Sequence, residues 1–117
     1  MIKKYFIHTF GCQMNLSDSE IVSGVLDKAG LVEVDSYEKA DICLVNSCSV
    51  RELAAQKARS ELGMFAAYKR KSKKAVFYGI IGCLAEQEGK HLCVKFPDID
   101  LIIGPAYERS IGESVKK

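Results

Sequence analysis

The sequence predicts a three-layer α/β sandwich around a mostly parallel sheet, and three observations carry that expectation. Short apolar runs alternate with segments of helical periodicity, the connections between runs are long enough to be crossover helices, and the runs at residues 42–45 and 75–81 are almost continuously apolar. Strands buried on both faces by crossover helices have that pattern.

The first run, residues 5–10, is short, rich in aromatics and stopped by Gly11. Ser17 and Glu20 then form a capping box, which predicts a helix whose inner face carries Ile21, Val22, Val25, Leu26 and Ala29 and which stops at Gly30. Residues 31–34 read as a second strand and residues 42–45 as a third. A long helix follows, with Ala54, Ala58, Leu62 and Phe65 on the core side and its end within residues 69–74. Residues 75–81 make a fourth strand, Gly82 a turn, and residues 85–96 a helix stopped by Pro97. Residues 101–103 make the last strand, and Gly104 and Pro105 precede an amphipathic segment running to Lys117. Five strands in this rhythm imply the flavodoxin-like order 2-1-3-4-5.

At 117 residues the chain reads as one domain. Its 48% apolar and 27% charged residues exclude disordered and collagen-like classes. A net charge of +2 is too small to argue for a nucleic-acid or membrane surface, so partners must be argued from sites. The longest mostly apolar stretch, residues 75–85, falls short of the roughly 20 residues that a spanning helix needs, and nothing resembles a secretory signal. No membrane partner and a cytoplasmic location are expected.

Cys12, Cys43, Cys48, Cys83 and Cys93 are odd in number and widely spaced, unlike a disulfide framework. Cys12, Cys48 and Cys83 fall just past the first, third and fourth predicted strands, in strand-to-helix loops. Parallel strands put all those loops at one edge of the sheet, and in the order 2-1-3-4-5 these strands are neighbours about 4.8 Å apart, beside the reversal of strand order where ligands of open α/β sheets bind. Helix N-termini favour thiolate over thiol. Three converging thiolates suit zinc, Cu(I) or an iron–sulfur cluster, and in a [4Fe–4S] cluster they leave one iron open to an outside ligand. Cys43, inside a strand, and Cys93, beside Leu92 and Val94 on a helix, are expected to pack as small apolar residues.

At these three cysteines stand GCQMN at residues 11–15 with DSE at 18–20, NSCSVR at 46–51, and GCLAE at 82–86. Together they resemble the N-terminal domain of the radical-SAM methylthiotransferases over nearly the whole chain. The resemblance implies that Cys12, Cys48 and Cys83 hold an auxiliary [4Fe–4S] cluster used in sulfur insertion. Gln13 and Met14 are similar to the branch acting at carbon 2 of N6-isopentenyladenosine beside the tRNA anticodon, whereas relatives acting on threonylcarbamoyl-adenosine or a ribosomal-protein aspartate usually carry other residues there. Ser47, where Thr is usual, departs mildly from the pattern. The CxxxCxxC motif that holds the family's radical-generating cluster occurs nowhere in these residues. Residues 1–117 are therefore expected to be the N-terminal domain, with the radical-SAM and C-terminal RNA-binding domains absent from this chain. The domain is expected to carry no catalytic residue and to be inactive alone. The complete enzyme would need a second [4Fe–4S] cluster and S-adenosylmethionine, with tRNA and the remaining domains of the same polypeptide as partners.

Other readings compete. A flavodoxin-like metal- or small-ligand-binding module would cradle a phosphate with Thr9, Ser17 and Ser19, and a Cys3His zinc site would recruit His8 or His91. Receiver and low-molecular-weight phosphatase chemistry fail on residue type at Asn46, Ser47 and Asp18. The basic stretch 69–74 reads as a solvated helix end complementing the negative dipole there, or as a contact for tRNA phosphates.

Overall fold

The computed structural model describes residues 3–10, 13–47 and 52–104. Strand β1 is Lys4–Phe10, helix α1 is Gln13–Lys28, and β2 is Val32–Glu33. A 3-10 turn, Tyr37–Lys39, leads to β3, Ile42–Ser47; α2 is Glu52–Lys71, β4 is Phe77–Ile81, α3 is Cys83–Lys95 and β5 is Leu101–Ile103. The strands form one sheet in the order β2-β1-β3-β4-β5, and every neighbouring pair is parallel. This is the expected order.

Side chains alternate across the sheet, and the alternation sorts the core into two layers. Tyr5, Ile42, Leu44 and Ile81 pack with Val22 and Leu26 of α1 on one face. Cys43, Val45, Tyr78 and Ile80 pack with Ala55, Ala58, Leu62 and Phe65 of α2 and with Leu84 and Leu92 of α3 on the other. Every residue of β3 is buried, as a central strand covered on both faces must be. At Gly79 a side chain would collide with the backbone of Leu101, so the missing Cβ lets β5 approach β4.

Several boundaries differ from the sequence reading. Helix α1 begins at Gln13, ahead of the expected capping box, and Ser17 is an exposed helical residue rather than a cap. A capping box is a local signal, and here the helix already under way from Gln13 runs straight through it. Strand β3 runs on to Ser47, β4 starts at Phe77, and α3 starts at Cys83, two residues before the expected Ala85. Cys93 does not pack in the core: Leu92 takes the inward position, and Cys93 and Val94 turn outward with the helical rotation. The 3-10 turn was not expected from periodicity. Ser36 caps it by accepting from the Glu38 amide, and the Tyr68 hydroxyl donates to the Glu38 carbonyl at 2.8 Å. The amphipathic segment beyond Pro105 lies outside the described residues.

Candidate metal centre

The candidate site lies where β1, β3 and β4 end. Phe10 is opposite Ser47 across the β1–β3 pair, and Asn46 is opposite Ile81 across the β3–β4 pair, so the three strands finish within one residue of one another. Cys12 follows Phe10 by two residues, Cys48 follows Ser47 by one, and Cys83 follows Ile81 by two. Cys12 and Cys48 lie outside the described residues. Cys83 is the partly exposed first residue of α3, within the helix rather than in the expected loop. The N–H groups of that first turn have no earlier carbonyl within the helix to pair with, and their positive dipole end favours a thiolate there.

Gly82 makes this tight entry to α3 possible. Its φ of 94° lies in the left-handed region, and a Cβ there would run into Oδ1 of Asn46. Its amide donates to the Ile103 carbonyl at 3.2 Å and its carbonyl accepts from Ala85 at 3.1 Å. Asn46 is fully buried in the last turn of the sheet. Its Nδ2 donates to Ser19 Oγ at 3.0 Å, and Ser19 Oγ shares a 2.6 Å hydrogen bond with Thr9 Oγ1. A polar chain thus crosses the sheet end from β1 through α1 to β3 and the start of α3. The sequence offers Thr9, Ser17 and Ser19 as phosphate ligands only in a competing reading, and does not reveal the link of Thr9 and Ser19 to Asn46. The only cue was a glycine directly before Cys83 and an asparagine two residues before Cys48.

The phosphate cradle is not supported. Thr9 is engaged with Ser19 and Ser19 with Asn46, and the cleft of about 410 Å³ beside them is also lined by Glu20, Asp27 and Glu33, whose charges repel a phosphate. His8 stands on β1 with Nδ1 3.0 Å from Glu61 Oε1 and its ring centroid 4.2 Å from that of Phe10, and His91 is exposed on α3. Among the described residues, no three His, Cys, Asp or Glu side chains gather as a metal site. Cys43 lies within β3, its thiol 3.7 Å from the Tyr37 carbonyl, and Cys93 lies in the last part of α3, so both stand away from the strand ends at issue.

The basic stretch marks the opposite edge. Lys69 Nζ lies 2.8 Å from Asp100 Oδ2, just before β5, and Lys74 Nζ lies 3.3 Å from Asp41 Oδ1, just before β3. These two cations bind carboxylates at the strand starts. No described helix is long and apolar enough to cross a membrane.

A family model described as "Uncharacterized protein family UPF0004" matches residues 4–104, most of the chain. The chain belongs to UPF0004. Curated relatives of this UPF0004 chain carry the name tRNA-2-methylthio-N(6)-dimethylallyladenosine synthase. The one from Syntrophus aciditrophicus is 45% identical over 102 residues, which is 87% of this chain and 22% of that protein. The one from Aquifex aeolicus is 44% identical over 117 residues, 100% of this chain and 26% of that protein. The chain thus spans about a quarter of the length of the curated relatives it matches. Among solved structures, a flavodoxin from Streptococcus pneumonia TIGR4 aligns over 97% of both chains with a TM-score of 0.58 at 12% identity, a likeness of fold alone.

Proposed function

We propose that this UPF0004 chain is the sulfur-cluster domain of a tRNA methylthiotransferase, with Cys12, Cys48 and Cys83 holding a [4Fe–4S] cluster. The observation that carries the reading is that three neighbouring strands finish within one residue of one another, each followed within two residues by a cysteine. Across a trans peptide successive Cα atoms are about 3.8 Å apart, so Cys48 stays within one such step of β3 and Cys12 within two of β1. Three thiolates at neighbouring strand ends are a soft donor set of the kind that suits iron–sulfur clusters. When bound, the cluster would supply an iron without a protein ligand, at which a sulfur donor can bind.

The chain's own contributions are positional. Cys83 in the first turn of α3 keeps its sulfur in a positive backbone field, and Gly82 admits that turn against Asn46. Radical generation and RNA binding would fall to other parts of a longer polypeptide, in line with the quarter of the relatives' length that this chain spans. Residues 1–117 would then be the N-terminal domain, inactive alone and acting in the cytoplasm, where thiols stay reduced. The relatives' name favours isopentenyladenosine (dimethylallyladenosine) in tRNA over threonylcarbamoyl-adenosine or a protein aspartate as the substrate of the whole enzyme. S-adenosylmethionine and a second cluster would be required there.

Anaerobic reconstitution with iron and sulfide tests the assignment. The expected result is about four irons per chain with the visible absorption of a cubane cluster. Cys12→Ala, Cys48→Ala or Cys83→Ala should abolish it, and Cys43→Ala or Cys93→Ala should leave it. Uptake of one zinc with no iron chromophore would overturn the cluster.

A further inference from the structure

We propose that Asn46, with Ser19 and Thr9, is the positioning device that sets the mutual spacing of the ends of β1 and β3 and the start of α3, which lead to Cys12, Cys48 and Cys83, an inference that rests on reading those cysteines as a joint thiolate site. Thr9 and Asn46 are opposite each other across β1 and β3, three residues before Cys12 and two before Cys48, and Gly82 directly precedes Cys83. One side chain therefore touches or reaches the approach to all three cysteines. Nδ2 of Asn46 donates to Ser19 Oγ at 3.0 Å, Ser19 Oγ is 2.6 Å from Thr9 Oγ1, and Oδ1 of Asn46 occupies the space a Cβ of Gly82 would need.

The choice of residue is informative. On the α1 face of β3 the preceding inward positions are Ile42 and Leu44, and an apolar residue would complete that pattern at position 46. A fully buried amide there must be hydrogen-bonded to be tolerated, and its planar head presents donor and acceptor in fixed directions. An aliphatic side chain would fill the volume without fixing either direction. Ser19 extends the link to α1, whose N-terminus is at Gln13, next to Cys12 in the chain. Two parallel strands alone leave the helix starts able to slide; the Thr9–Ser19–Asn46 chain and the Gly82 contact lock them.

The test uses the reduced chain without iron. Arsenite joins up to three thiolates at one centre, so its affinity reports how well three sulfurs converge, and alkylation followed by mass measurement reports which thiols it protects. The wild type should protect Cys12, Cys48 and Cys83. Ser19→Ala should bind arsenite roughly threefold to tenfold more weakly, the factor that a lost hydrogen bond commands. Ser19→Thr should bind like the wild type, since it keeps the hydroxyl and the cleft beside α1 has room for a methyl group. Gly82→Ala should weaken binding further.

A scaffolding role alone would lower the thermal midpoint of Ser19→Ala without moving arsenite affinity below that midpoint, and this outcome would overturn the proposal. Protection of fewer than three of these cysteines in the wild type would overturn it as well. If arsenite behaves as expected but iron and sulfide give no cubane, the cluster assignment fails while the positioning role stands.

Discussion

In β3, between Phe6 and Tyr78 on the neighbouring strands, the thiol of Cys43 is pushed up to about 12, by burial first and with Lys74 pulling the other way. Cys93 is exposed on α3. Iodoacetamide at pH 8 should therefore modify Cys93 in the native chain and spare Cys43, with unfolding in urea exposing both; labelling sites read by mass spectrometry check this. Tyr5 and Tyr78 are also held above the usual tyrosine value, by burial first and then by hydrogen bonds to Asp27 and Asp98. In the unfolded chain these groups ionise near 9 and 10, whereas in the folded chain they keep their protons. The folded state thus binds more protons above pH 9, so stability must fall as pH rises from there towards 12. Urea midpoints at pH 8 and pH 10.5 should show the loss, and Cys43→Ala should make it shallower.

Helices α2 and α3 share one face of the sheet, and Arg59 ties them together. Its Nε donates to Glu88 Oε1 at 3.1 Å and its Nη2 to Oε2 at 2.9 Å, a two-pronged fork that a lysine cannot reproduce. The hydrogen bond from Arg59 holds the Glu88 carboxyl below its usual value. Both side chains keep nearly a quarter of their surface exposed, so the pair is worth about 0.5–1 kcal/mol. Arg59→Lys should lose about that much in urea denaturation at pH 7. Because the carboxyl is depressed, the contribution is present above the unfolded value near 4.5 and lost as pH falls through the folded one. The difference between wild type and variant should shrink towards zero near pH 3. The buried faces of these helices were legible in the sequence, since Ala54, Ala58, Leu62 and Phe65 recur at helical spacing and all are buried. The start of α1 was not, because a capping box at Ser17 is a local signal through which the helix runs, and the bond of Ser19 to Asn46, 27 residues away, was equally hidden.

The molecule as a whole is polarised along its strands. One edge carries the Lys69–Asp100 and Lys74–Asp41 pairs, and the other carries the strand ends that precede the three cysteines. Six residues of β3 separate the two edges by about 20 Å. Charge reversal at Lys71 and Lys73, both exposed, should therefore leave iron uptake unchanged while altering any affinity for RNA phosphates, a contrast that iron analysis beside a filter-binding assay reads directly. Strand order and the common edge at which β1, β3 and β4 end were readable, because continuous apolar runs and helix-length crossovers restrict the topology. The spacing device at that edge was not, since hydrogen bonds between distant side chains leave no periodic trace.

Strand order also dictates a sequence of events. β1 is made first but lies between β2 and β3, so it waits for β3, 37 positions later by the Tyr5–Ile42 pairing, and β4 docks on β3 later still. A growing polypeptide emerges from its N-terminus onward, and long-range parallel pairing is slow. Until residue 81 has emerged, the chain owns at most two of the three strand ends. On the proposed assignment, a nascent chain shorter than that cannot present all three thiols together, so loading waits for β4 to dock on β3 but not for the rest of a longer polypeptide.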